Sequence, residues 1–372
     1  MLPGRDALAM PAAGYEVGWA SPAIGIPWPL SSGSPAHVRS KALALRSWLV
    51  ANPACDLGHV GRTLAECLEP LEHRAVVIVR DYAGVLQSLE DLAHGRATST
   101  VIEGRAPHRA DAVFAFAPQG SEWQGMGVAL LDSAPAFART IGECELALAP
   151  FVDWSLADVI RQADGAPGLD RIDVVQPTLM AISLGLARLA QAYGLTPAAT
   201  LGYCVGEIMA AHVAGALSLE DAARVASRWS QAQGTLSGRG EMASVSGPRR
   251  TVSEHLMRRA PDVSIAAHLG PGVTIVAGEA RAVEQAIEEL RALGLRARRV
   301  GISVANHTAQ IDRIRDRLLR DLSPLSPRPP QIPCYLGHLG AQPADVPLDA
   351  EYWAGSLRHV AMFEDATRAV LA

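Results

Sequence analysis

The stretch that most constrains this chain is Ala199-Thr200-Leu201-Gly202-Tyr203-Cys204-Val205-Gly206-Glu207. A short apolar run enters a Gly-x-Cys-x-Gly turn, and helix-favouring residues, Glu207 to Leu217, leave it. The pattern is that of a nucleophile elbow, with Cys where Ser is usual. Glycines flank the reactive position because strand and helix backbones approach too closely for a Cβ. A thiol at a helix N-terminus also meets the positive end of the helix dipole, which favours thiolate. On these residues alone, a small buried cysteine would serve as well.

An elbow needs a parallel strand before it and a helix after it, and the flanking chain supplies more of both. Ala112-Val113-Phe114-Ala115-Phe116-Ala117 suits a buried parallel strand, ending in the turn-rich Pro118-Gln119-Gly120-Ser121-Glu122-Trp123. Helices are predicted over Met126–Leu148, Pro177–Tyr193 and Leu219–Gln233, the last opened by Ser218 and Asp221. Beyond them the texture changes. Strand-like runs at Met242–Val245, Val263–Ala267, Val273–Ala277 and Ala297–Val300 alternate with helical Val252–Arg259 and Ala282–Leu293. The order β-α-β-β-α-β is the split βαβ, ferredoxin-like signature. With the elbow before it and His307 after it, this unit is predicted to be an insertion.

Upstream lies a smaller α/β pattern. Helical Ser34–Ala51 and Gly58–Leu68 precede the β-rich Arg74–Val79, and a third helix is predicted over Tyr82–His94. The expected fold class is therefore α/β. An α/β-hydrolase-like large subdomain (residues 111–241 and 303–372) carries an inserted ferredoxin-like small subdomain (242–302). A small α/β domain (27–110) precedes them, after a flexible lead-in of 1–26.

Composition narrows the function classes. Hydrophobic residues make up 49% of the 372 and charged ones 19%, so the chain has material for a large core. A net charge of −5 argues against nucleic-acid binding, which needs a basic surplus. The five cysteines are scattered, with no CxxC or metal-ligand spacing, so neither a disulfide framework nor a metal site is expected. A reducing cytoplasm is the expected location. No signal peptide is recognisable, and the apolar run Thr178–Leu195 is broken by Arg188 and Gln191, which reads as a buried helix and not a membrane span.

Several separated motifs are familiar together. Pro118-Gln119-Gly120-Ser121-Glu122-Trp123-Gln124-Gly125-Met126-Gly127, Asp173-Val174-Val175-Gln176-Pro177, His212 to Ala223, Asn306-His307-Thr308 and Tyr352-Trp353 to Arg358 occur in that order around the insertion. In these, the chain resembles the acyltransferase domains of modular polyketide synthases, relatives of malonyl-CoA:acyl-carrier-protein transacylase. Residues 27–110, with Glu72-His73-Arg74-Ala75, resemble the linker domain that precedes such acyltransferases. A linker with no ketosynthase before it, in a chain beginning at Met1, fits a loading module if that methionine is the natural start.

The resemblance implies roles. Cys204 takes the nucleophile position and His307 that of the general base. Backbone N–H groups of Gln119 and Val205 would form the oxyanion hole, and the Ser356 carbonyl would orient the histidine. Without the resemblance, His307 would read as a surface or capping residue. The implied reaction is acyl transfer to the phosphopantetheine of an acyl carrier protein, with acyl-CoA or acyl-phosphopantetheine as substrate and no permanently bound cofactor. Neighbouring polyketide synthase domains would be partners.

Three departures bear on the substrate. Tyr203 and Cys204 replace the usual His-Ser of the elbow. The arginine that grips an extender carboxylate falls, by a gap-free count, at Trp229, which offers no charge; the same residue could be plain core. Val304-Ala305-Asn306-His307 fits neither of the usual extender signatures. Tyr203, Trp229, Val304, Asn306 and Gln176 are thus the expected acyl-pocket residues, and the expected acyl group is a neutral starter unit. An editing thioesterase would need the same Cys204, His307 and oxyanion hole and stays open, as does a non-catalytic module that only binds carrier protein. Arginines from Arg296 to Arg320 could meet an acidic carrier protein or be solvated faces.

Overall fold

A computed structural model describes residues 25–106, 111–120 and 122–372. The predicted lead-in lies outside these residues except for its last two. The chain divides into two compact units, with the second beginning at Asp111.

The first unit is an antiparallel sheet in the order β1 (Ile26–Ser32), β2 (His73–Val79), β3 (Val101–Arg105), with helices α1 (Pro35–Ala51), α2 (Leu57–Glu66) and α3 (Tyr82–Ala93). Each helix starts at a side-chain cap, Ser34, Asp56 and Asp81 respectively, which satisfies an otherwise orphaned N–H. Trp28, Leu49, Val77, Leu89 and Leu92 form the centre of its core. Periodicity did not predict β1 or β3. Pro27 and Pro29 mask the first, but β1 is an edge strand, where a missing N–H costs nothing. In β3, only Val101 is buried.

The second unit contains two sheets. Three parallel strands, β4 (Ala112–Phe116), β5 (Pro197–Gly202) and β10 (Cys334–Leu336), stand in the order β10-β5-β4. Four strands, β6 (Glu241–Ser246), β7 (Val263–Gly270), β8 (Val273–Gly278) and β9 (Arg296–Val300), form an antiparallel sheet in the order β7-β8-β6-β9. Helices α10 (Arg249–Arg259) and α11 (Ala280–Ala292) pack on this second sheet through Val252, Leu256, Val283, Ile287 and Leu290.

The remaining helices accompany the parallel sheet. In chain order they are α4 (Val128–Ser133), α5 (Pro135–Leu148), α6 (Leu156–Arg161), α7 (Ile172–Ala192), α8 (Val205–Val213), α9 (Leu219–Gly234), α12 (Arg315–Leu322), α13 (Ala350–Arg358) and α14 (Phe363–Leu371). The single helix predicted over Met126–Leu148 is in fact two, because Pro135 cannot donate to an upstream carbonyl and starts α5 instead. Conversely, Pro177 lies inside α7 and does not open it. That long apolar helix is buried along most of its length, from Ile172 to Ala187. Ser218 caps α9 through the Asp221 N–H at 3.0 Å, as the sequence suggests.

Candidate active site

The elbow is built from three backbones in close contact. A Cβ on Gly202 would strike the backbone of Gly206, and one on Gly206 would strike the Phe116 carbonyl of β4. The glycines therefore serve the neighbouring strand as well as the turn. Between them, Cys204 is held at φ +54 and ψ −126, a conformation L-residues avoid, and α8 starts at the next residue. His307 is also at positive φ, +59, with its N–H donating to the Leu357 carbonyl at 2.9 Å. Two strained residues that enter one cavity mark where folding energy is diverted to chemistry.

That cavity, of about 280 Å³, is lined by Cys204, His307, Gln119, Tyr203 and Asn306 from the parallel-sheet side. The antiparallel sheet contributes Met242, Ser244, Ile275, Arg298 and Val300. The insertion thus forms one wall of the site.

The ring of His307 is fixed by carbonyls. Nδ1 lies 2.9 Å from the His359 carbonyl, and the Ser356 carbonyl also faces the ring. The sequence assigned orientation to Ser356 alone; the closest acceptor is His359, just past the end of α13. Because a carbonyl can only accept, Nδ1 carries the proton and Nε2 keeps its lone pair. Nε2 is buried with no hydrogen-bond partner among the described residues, free to take a proton. Tyr203 stacks on the imidazole, with ring centroids 5.9 Å apart, and Phe363 backs Tyr203 at 5.8 Å.

Electrostatics correct one expectation. Burial pushes the Cys204 thiol up to about 12, although the Val205 N–H at the helix start pulls the other way. Burial also takes His307 down to about 4. Desolvation outweighs the helix dipole here, so the resting pair is a neutral thiol and a neutral imidazole, not a thiolate.

The expected acyl-pocket residues divide. Tyr203 and Asn306 line the cavity, and the Asn306 Oδ1 is buried without a partner. Val304 is fully buried but is not among the lining residues. Trp229 is also core: its Nε1 donates to the Trp353 carbonyl at 3.1 Å, and the two indoles meet edge to face. Gln176 is behind the cavity wall, bonded to Gln119 at 3.3 Å and to Gln233 at 3.3 Å. It braces the loop that carries Gln119 and does not touch the cavity.

Sequence reasoning missed Glu207. This buried carboxylate accepts from the His338 N–H at 2.7 Å, Tyr352 Oη at 2.8 Å and Ser356 Oγ at 2.7 Å. Burial still raises it to about 7 against those three donors. Its place beside the elbow was visible, but its partners are more than 130 residues away in the chain.

An elbow cysteine and a carbonyl-held histidine line one cavity, and the chain belongs to the acyl transferase domain family, which residues 113–372 match. More narrowly, it is an acyltransferase domain of the modular type I polyketide synthase kind, an enzyme that transfers acyl groups. It is 44% identical over 356 residues to polyketide synthase GfsB of Streptomyces halstedii, covering 93% of this chain and 6% of that protein. Erythronolide synthase EryA2 of Saccharopolyspora erythraea is 40% identical over 348 residues, 92% of this chain and 10% of the other. The chain therefore spans a small part of the length of these relatives.

Among solved structures, the acyltransferase domain from module 8 of the salinomycin polyketide synthase superposes with a TM-score of 0.88 at 41% identity, covering 93% of this chain and 82% of that one. A loading acyltransferase from the avermectin modular polyketide synthase gives 0.67 at 42% identity, covering 70% and 83%.

Proposed function

We propose that the domain moves a neutral starter acyl group from a CoA thioester, or another carrier thioester, to the phosphopantetheine thiol of an acyl carrier protein. The observation that carries this reading is the convergence of Cys204 and the unprotonated Nε2 of His307, whose proton is held on Nδ1, on one cavity. As Sγ attacks the thioester carbonyl, its proton passes to Nε2. The carbonyl oxygen becomes an oxyanion beside the Val205 N–H, which the start of α8 leaves without a helical acceptor, and beside Gln119. Collapse breaks the C–S bond to CoA, and the departing thiolate takes the proton back from Nε2. The acceptor thiol then repeats the sequence on the Cys204 thioester. Since acyl-enzyme, donor and product are all thioesters, neither half-reaction is steeply uphill.

A neutral acyl group is supported by what the site lacks. At the place where extender-loading relatives have their carboxylate-gripping arginine, Trp229 is buried with its one donor already used. Among the described residues, the one charged side chain lining the cavity is Arg298, and it is exposed. An unpaired carboxylate in such a cavity would cost several kcal/mol, on the order of other uncompensated buried charges. The match to a loading acyltransferase is consistent with a starter unit.

The test is intact-mass measurement after incubation with acetyl-, isobutyryl-, benzoyl- and malonyl-CoA, with Cys204→Ala as control. Adducts with the neutral groups that vanish in the variant are expected. Adduct from malonyl-CoA alone would overturn the neutral-acyl reading. Addition of holo carrier protein then separates transfer from hydrolysis: the acyl mass moves to the carrier in one case and appears as free acid in the other. No adduct with any donor would favour a binding module.

A further inference from the structure

The outer edge of the catalytic cavity leads into a second cavity of about 660 Å³, and the two share Ser244 and Arg298. Arg291, Arg296 and Ser246 line the outer one. The register explains this continuity. On paired strands β6 and β9, Ser244 is opposite Arg298 and Ser246 opposite Arg296, so all four side chains project from the same face. Helices α10 and α11 pack on the opposite face, where Ala297 is buried; because β9 is the edge strand, the outer cavity also reaches round it to Arg291, Leu295 and Ala297.

The charge pattern of β9 differs between its two faces. Arg299, which projects toward the helices, is neutralised by Glu241 at 3.3 Å and Glu284 at 2.8 Å. Arg296 and Arg298 are exposed, and no carboxylate among the described residues pairs with either. Among the described residues, no acidic side chain lines either cavity. In a chain of net charge −5, two unpaired guanidiniums at the threshold of a catalytic cavity form a local site for an anion.

Resting on the acyl-transfer reading, we infer that Arg296 and Arg298 hold the phosphate end of the substrate's pantetheine arm while its thioester lies at Cys204. In both CoA and a carrier protein the phosphate stands a full pantetheine chain away from the thioester. With the thioester at Cys204, an extended arm runs outward along the cavity wall and carries its anion toward the side where Arg298 and Arg296 are exposed. Guanidinium matches phosphate oxygens in bidentate fashion, and the serine hydroxyls beside it add neutral donors. The same anion site would serve the CoA phosphates in the first half-reaction and the carrier-protein phosphodiester in the second.

The inference is tested by presenting one acyl group, acetyl or isobutyryl, as its CoA thioester and as its N-acetylcysteamine thioester, which has no phosphate. Acylation of Cys204 is timed by intact mass for the parent, Arg296→Ala and Arg296→Ala/Arg298→Ala. The ratio of CoA to N-acetylcysteamine rates is expected to fall about tenfold per arginine removed, in line with loss of a charge-assisted contact. The CoA rate of the parent should drop with added salt more than that of the double variant. Deacylation by holo carrier protein against free pantetheine gives the second arm. A selective loss with CoA assigns the site to the donor and one with carrier protein to the acceptor, and either supports the inference. An unchanged ratio in both arms overturns it while leaving acyl transfer intact, as does a loss that follows the carboxylate of malonyl thioesters and not the phosphate. No adduct from either thioester would overturn the acyl-transfer reading and this inference with it.

Discussion

Ser356 donates its hydroxyl to the Glu207 carboxylate at 2.7 Å and turns its backbone carbonyl toward His307. One residue of α13 thus ties His307 to the helix that begins just after Cys204. The link runs through a carboxylate raised from 4.5 to about 7.

That raised value has a defined consequence for stability. Between about pH 4.5 and 7 the unfolded chain loses this proton while the folded one keeps it, so the Glu207 contribution falls as pH rises through that window and is flat above it. His307 and His338, both lowered by burial, act in the opposite sense, with stability lost as pH falls below 6.5. The difference between parent and Glu207→Gln isolates the carboxylate. Urea denaturation at pH 5 and pH 8 should show the parent losing on the order of 3 kcal/mol relative to the variant. Parallel curves for the two proteins would remove Glu207 as a buried titrating group.

The neutral Cys204–His307 pair predicts a broad pH optimum. With His307 down at about 4 and Cys204 up at about 12, the pair keeps its protonation state across the intervening range. Single-turnover acylation should then be level from about pH 5 to pH 9. Alkylation of Cys204 by iodoacetamide should be slow at pH 7 and climb steadily toward pH 10, since thiolate is the reactive form. A rate step near pH 6.5 would show instead an ordinary imidazole in control.

Gln176 offers a test of positioning. Its amide holds the Gln119 side chain from behind the cavity and is itself held by Gln233. In Gln176→Leu the loop carrying Gln119 loses that brace. The expected result is a fall in kcat of about tenfold with KM little changed, as for loss of an interaction realised in the transition state. An equal change in KM would place Gln176 in ground-state binding.

Asn306 should behave in the opposite way to most buried residues. Its Oδ1 is buried with no partner among the described residues, an arrangement that costs about 1–3 kcal/mol. Asn306→Ala should raise the melting temperature by a few degrees while altering the order of preference among acyl-CoAs. A destabilised variant with unchanged preference would make Asn306 an ordinary core residue.

Much of this site could be read from local spacing. The Gly-x-Cys-x-Gly turn and the cap at Ser218 are determined by backbone geometry over a few residues, and both stand where the sequence puts them. Alternation in the insertion likewise located four strands to within a few residues. What local pattern cannot show is which way a side chain turns in a crowded interior. Trp229 and Val304 occupy the expected positions in the chain but are directed into packing, because an indole with a carbonyl to bond is more stable among Trp353 and its neighbours than at a wet wall. Glu207 and His359 were illegible for a related reason, since their roles come from contacts that close only in three dimensions. The elbow's preference for thiolate failed on magnitude: the dipole was recognised, but the depth of burial that outweighs it was not.

The insertion between Cys204 and His307 also orders events at the ribosome. Cys204, the proposed nucleophile, is synthesised about a hundred residues before His307, its proposed base, and the His359 carbonyl that holds the imidazole comes later still. Until β6 to β9 have folded and the chain has returned to the parallel sheet, the thiol has no general base and one wall of its cavity is missing. A nascent or C-terminally clipped chain can therefore carry a complete elbow and still be unable to acquire an acyl group. On the proposed mechanism, then, activity would depend on residues from both ends of this domain's sequence and on the insertion between them.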